Sequence, residues 1–145
     1  MTLQTLRPEL RWAIEAAQDK KAQHVTVLDL KGLGAFSEYF LLCSGESTPQ
    51  LEAITDAIEE RLAQNGRRPE HREGRPGAEW VLLDYGRFVV HVFSERARLY
   101  YDLERLWRAG PRIDIPSPDD PRAAHNRSNS NSSSSGSPES ESTQP

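Results

Sequence analysis

The sequence predicts an α/β domain: a mixed parallel and antiparallel sheet of about five strands with helices packed on it. Two observations carry this. The segment W-V-L-L-D-Y-G-R-F-V-V-H-V-F at 80–93 reads as an apolar antiparallel hairpin around Asp84, Tyr85 and Gly86. A strongly periodic helix, placed between the second and third strand patterns, supplies the connection a parallel crossover requires.

The elements follow in order. Leu3, Leu6, Leu10, Ala13, Ile14 and Ala17 recur at helical spacing and predict a helix over about 3–21. Pro8 is tolerable there only near the helix start. Val25, Val27, Leu28 and Leu30 form the first strand, broken by Gly32 and Gly34. Y-F-L-L-C at 39–43 is the second. Ser47 and Gln50 make a capping box for a helix over 47–65, lined by Leu51, Ile54, Ile58 and Leu62 and stopped at Gly66. A short edge strand falls near 69–72, before the hairpin. Ser94 caps a last helix over 95–109, with Leu99, Leu103 and Leu106 expected to face inward, ended by Gly110 and Pro111.

The chain has 145 residues, enough for one ordinary domain. Almost no apolar residue follows Pro116, so the folded unit is expected over 1–115 and a disordered Ser-rich tail over 116–145. The formal net charge of -4 argues against dedicated nucleic-acid binding, which draws on clustered Lys and Arg. It suits a partner with a basic surface. A single cysteine, no signal-peptide pattern and no bilayer-length apolar stretch point to a soluble cytoplasmic protein.

Catalytic motifs are weak. Cys43 sits in an apolar strand, where a thiol packs as a small hydrophobe. His71, His91 and Asp84 show no metal-ligand spacing. Gly32-x-Gly34 and Ser44-Gly45 are fragments of phosphate loops and no more. Two-metal nucleotidyl transfer gathers carboxylates on adjacent strands, and Asp84 and Asp29 are each alone on theirs. The expectation is a protein that is not an enzyme and takes no cofactor or metal. The alternative is a divergent nucleotide-binding or nucleotidyltransferase-like enzyme. What remains is a concentration of amphipathic aromatics in the last third: Trp80, Tyr85, Tyr100, Tyr101 and Trp107. Such residues favour protein interfaces. Tyr85, at the hairpin tip, is expected to be exposed, with Asp84 oriented beside it.

In their order and spacing the motifs resemble those of the Iojap family, the ribosomal silencing factors (RsfS). They are D-K-K-A at 19–22, V-L-D-L at 27–30, E-Y-F-L-L at 38–42, S-T-P-Q at 47–50, E-G at 73–74, W-V-L-L-D-Y-G at 80–86, V-V-H-V-F at 89–93 and Y-D-L-E-R-L-W at 101–107. The resemblance implies a fold similar in outline to nucleotidyltransferases but lacking their catalytic carboxylates. It implies binding to the large ribosomal subunit through its fourteenth protein, steric blocking of subunit joining when nutrients are scarce, and a homodimer when free. The partner-binding residues expected on this basis are Trp80, Asp84, Tyr85, Gly86, His91, Glu73, Tyr101 and Glu104. Two positions depart from the family pattern: Glu38 stands where Asp is usual, and Arg87 where an acidic residue follows the glycine. The Ser-rich tail has no evident family counterpart.

Overall fold

Proline decides where the first helix begins. In the computed structural model, which describes residues 5–119, α1 runs Pro8–Asp19 with Pro8 in its first turn. The expected start near residue 3 is corrected, because a proline inside a helix lacks the N–H and clashes with the preceding turn. Leu10, Ala13, Ile14 and Ala17 form the buried stripe of α1.

β1 (Gln23–Asp29) and β2 (Tyr39–Gly45) follow, then α2 (Thr48–Gln64). Ser47 caps α2 by accepting from the Gln50 N–H at 3.2 Å. The Gln50 side chain does more than complete the cap. Its Oε1 accepts from the Glu46 N–H at 2.6 Å, and its Nε2 donates to the Lys20 and Lys21 carbonyls, each at 3.1 Å. One amide thus ties the end of α1 to the start of α2, satisfying carbonyls that a helix terminus leaves open.

β3 (His71–Glu73), β4 (Trp80–Asp84) and β5 (Phe88–Ser94) complete the expected strands. The last helix differs from expectation. It breaks at Asp102, which is left-handed at φ 50° and ψ 52°, into α3 (Glu95–Tyr101) and a single turn, α4 (Leu103–Leu106). An unexpected sixth strand, β6 (Arg112–Ile115), follows Pro111. Its R-I-D-I alternation sends Ile113 and Ile115 into the core.

Among the described residues the sheet has six strands in the order β3-β4-β5-β2-β1-β6. β2 and β5 are parallel, and every other neighbouring pair is antiparallel. The chain leaves β2, crosses through α2 to the far edge at β3, then returns through β4 and β5 to lie beside β2.

Strand alternation divides the sheet into two faces. On one, α1 and α2 pack Leu10, Ile14, Leu51, Ile54, Ile58 and Leu62 against Val27, Leu41, Cys43, Val81, Leu83, Val90 and Val92. On the other, Leu28, Leu42 and Phe93 pack with Ala97, and with the half-buried Phe40, Trp80, Leu103 and Trp107. No helix among the described residues is long and apolar enough to cross a membrane. The tail expected to be disordered lies, beyond Asp119, outside the described residues.

Candidate functional site

The second face gathers most of the chemistry-bearing side chains, and register explains why. Trp80 pairs with Phe93 and Leu82 with His91 across β4 and β5. His91 pairs with Leu42 across β5 and β2, and Glu73 with Leu82 across β3 and β4. Residues directly opposite share a face, so Glu73, Leu82, His91 and Leu42 form one row and Trp80 and Phe93 lie in the next.

His91 is the centre of this arrangement. The Trp80 Nε1–H donates to His91 Nδ1 at 3.0 Å. An indole N–H only donates, so Nδ1 accepts and the neutral ring carries its proton on Nε2. That Nε2 is buried without a hydrogen-bond partner among the described residues. Burial pushes the imidazole pKa down to about 3. Phe40 meets the ring edge-on at a centroid distance of 4.5 Å, and Phe93 stacks on it at 5.9 Å. Trp107 meets Phe40 edge-on at 6.1 Å. Tyr101 leans on Trp80 at 4.4 Å and remains 48% exposed. The aromatic row is therefore closed at its centre and open along Trp80 and Tyr101.

The α3–α4 arm is held over this face by buried Arg98. Its guanidinium donates to the His24 carbonyl at 2.5 Å, Ser44 Oγ at 2.9 Å and Thr26 Oγ1 at 3.2 Å. It also grips Glu104 through Nε and Nη2, both at 3.1 Å. Arg112 approaches the same carboxylate at 3.3 Å. Burial alone raises the Glu104 pKa, but the Arg98 hydrogen bonds and the charges of Arg98 and Arg112 outweigh it and hold the carboxyl below its ordinary value.

The expected site residues thus separate. Trp80, His91 and Tyr101 come together, with Glu73 at the outer end of the His91 row and bonded to His71 at 2.7 Å. Glu104 belongs to the clamp on the arm. Asp84 and Gly86 shape the hairpin turn: Asp84 Oδ1 accepts from the Gly86 N–H at 2.8 Å, and Gly86 takes φ 86°. The expected exposure of Tyr85 is corrected. It is 3% exposed, stacks on Phe88 at 4.9 Å and joins the core on the helical face. The turn folds the ring inward, where apolar area is removed from water. Its hydroxyl has no hydrogen-bond partner among the described residues, and burial, with Glu59 assisting and Arg72 opposing, pushes its pKa up to about 12.

Leu99 and Leu106 were expected inside and are 78% and 68% exposed. The break at Asp102 turns them outward while Leu103 and Trp107 pack down. Sequence reasoning missed Phe40 and Leu82 as lining. The signal was strand alternation, which puts Phe40 opposite to Tyr39 and Leu41. It also missed the Arg98 clamp, for which no local signal exists. The two departures noted at Glu38 and Arg87 are neighbours: the Glu38 N–H donates to the Arg87 carbonyl at 2.7 Å. Cys43 is fully buried, and desolvation, opposed by Arg98, pushes its pKa up to about 12. Among the described residues no cluster of three or more His, Cys, Asp or Glu side chains could hold a metal ion.

Fold and face together define a class: a mixed-sheet α/β domain with α1 and α2 on one side and, on the other, an aromatic row half covered by the α3–α4 arm. A family model described as "Ribosomal silencing factor during starvation" matches residues 3–141, so the match extends into the Ser-rich tail. The chain belongs to this family, RsfS. It is 41% identical to the ribosomal silencing factor of Bacillus subtilis over 106 residues, covering 73% of this chain and 90% of the relative. It is 39% identical to that of Halalkalibacterium halodurans, covering 73% and 91%. A crystal structure of a protein from Chromobacterium violaceum superposes with a TM-score of 0.68 at 31% identity, covering 82% of this chain and 98% of that one.

Proposed function

We propose that this ribosomal silencing factor binds the large ribosomal subunit through its fourteenth protein and blocks small-subunit joining by occupying the space between them. Silencing by exclusion needs affinity and bulk, not bond chemistry, and an interface of standard size suffices. The observation that carries the reading is the open end of the aromatic row, where Tyr101, 48% exposed, lies on half-buried Trp80. Aromatic anchors beside a buried core are where interface energy concentrates. Glu73 beside this row offers a carboxylate to a basic ribosomal protein and sets orientation and on-rate, while Glu104, held by Arg98 and Arg112, fixes the arm that carries Tyr101. His91 holds Trp80 in place, and Asp84, Gly86 and Tyr85 support the adjoining turn. In this reading the free protein is a homodimer, the folded unit ends near residue 115, and the site is cytoplasmic.

Light scattering of mixed subunits tests the mechanism directly: saturating protein keeps them apart. Tyr101→Ala weakens large-subunit binding by about tenfold, the scale of one hot-spot side chain. Normal subunit association at saturation removes the blocking mechanism. Unchanged affinity in the variant removes Tyr101 from the contact.

A further inference from the structure

The α3–α4 arm exposes side chains beyond those of the aromatic row. Tyr100 is 79% exposed and meets Tyr101 edge-on at 5.0 Å, and Leu99 and Leu106 are exposed on the same arm. Arg105 and Arg108 are exposed on the same short segment. Neither has a carboxylate partner among the described residues; Arg108 donates only to the Arg105 carbonyl, at 3.1 Å. The other cations of the arm are engaged, Arg96 with Glu79 and Arg98 with Glu104, which Arg112 of β6 also approaches. Arg105 and Arg108 thus stand unmatched, three residues apart, on an arm that also exposes Tyr100, in a chain whose overall charge is -4.

We infer that this arm contacts ribosomal RNA, with Arg105 and Arg108 on backbone phosphates and Tyr100 packed against a base. The inference rests on the ribosome-binding reading above and adds a second contact to it. A ribosomal surface offers two chemistries, cationic protein and polyanionic RNA. Unpaired arginines repel the first and match the second. A guanidinium fork suits phosphate oxygens, and a tyrosine ring accepts any base face, so the contact needs no particular sequence. Leu99 and Leu106 add apolar area against ribose and base surfaces. The net acidity that argues against general nucleic-acid binding does not bear on a contact made by one arm.

The test uses the full chain and purified large subunits. Affinity is measured as a function of KCl for wild type and for a chain carrying Arg105→Gln with Arg108→Gln. Two lost phosphate contacts make the slope of log K against log salt shallower by about 1.4 to 1.8. Arg105→Lys with Arg108→Lys restores the slope, since a point charge also releases counterions. In parallel, a photo-crosslinking phenylalanine analogue replaces Tyr100, and the expected adduct is with RNA. An unchanged slope in the glutamine variant, or an adduct formed only with a ribosomal protein or a second copy, overturns the inference while leaving the docking face intact. Failure of the wild-type chain to bind large subunits at any salt overturns the reading beneath it, and the inference with it.

Discussion

Acid should unfold this protein partly through His91. The ring is 3% exposed, its Nδ1 is occupied by the Trp80 indole N–H, and burial pushes its pKa from 6.5 down to about 3. The unfolded chain therefore takes up the proton first as pH falls. A depressed histidine pKa means that the native state binds fewer protons than the unfolded state between these two values, so stability rises with pH across that window. The contribution is intact above pH 6.5 and is lost progressively toward pH 3. At pH 4.5, two units below the unfolded value and still above the folded one, the loss is about 3 kcal/mol, at 1.36 kcal/mol per unit. That is a large part of the total for a domain of this size. Urea unfolding at pH 7.5 and 4.5 measures it, with His91→Gln as the comparison, because glutamine still offers Trp80 an acceptor but cannot titrate. Carboxylate losses are common to both chains, so the wild type should lose about 3 kcal/mol more than the variant. Imidazole NMR should show a neutral ring, protonated at Nε2, at pH 4.5. Equal losses in the two chains, or a His91 that titrates near its ordinary value, would refute the reasoning.

Three further outcomes follow from the same geometry. Tyr85→Phe removes a buried hydroxyl that has no hydrogen-bond partner among the described residues and should leave stability unchanged or raise it by up to about 1 kcal/mol, whereas Tyr85→Ala should cost about 3 to 5 kcal/mol in denaturant unfolding. Gln50→Ala deletes the amide that bridges Glu46, Lys20 and Lys21 and should lower stability by about 2 kcal/mol, read as a shift in urea midpoint at constant slope. Arg98→Met leaves Glu104 partly buried beside Arg112 alone and should cost about 3 kcal/mol. It should also loosen the arm, seen as a change in Trp80 fluorescence once Tyr101 leaves it. In the wild type, Glu104 and Asp114, both held below their ordinary values, contribute stability above those values that disappears as pH falls through the folded pKa.

Much of the frame was legible because local chemistry dictates it. Ser47, Pro49 and Gln50 mark one helix start, and Pro8 bounds the other to within a turn. The hairpin announced itself through two apolar runs around Asp84 and Gly86, and its turn is held by the Asp84–Gly86 hydrogen bond. The last helix was misread because Leu99, Leu103 and Leu106 fit a helical stripe, a pattern that cannot register a left-handed residue at Asp102. Leu103 and Trp107 pack on the sheet side of that break and Leu99 does not. β6 escaped notice because four residues between Pro111 and Pro116 carry a weak signal until β1 offers them an edge to pair with.

By itself, then, the sequence determined α1, α2, the first two strands, the hairpin, the family and the aromatic residues concentrated toward the end of the folded part. These depend on spacing along the chain, on caps and on turn chemistry. Tertiary structure alone decided that Tyr85 turns inward to stack on Phe88, that Trp80 and His91 share a hydrogen bond, and that Arg98 binds the arm to the sheet through Thr26, Ser44 and Glu104. Each joins residues from separate elements, and strand register and burial, rather than any local preference, determine which of them meet.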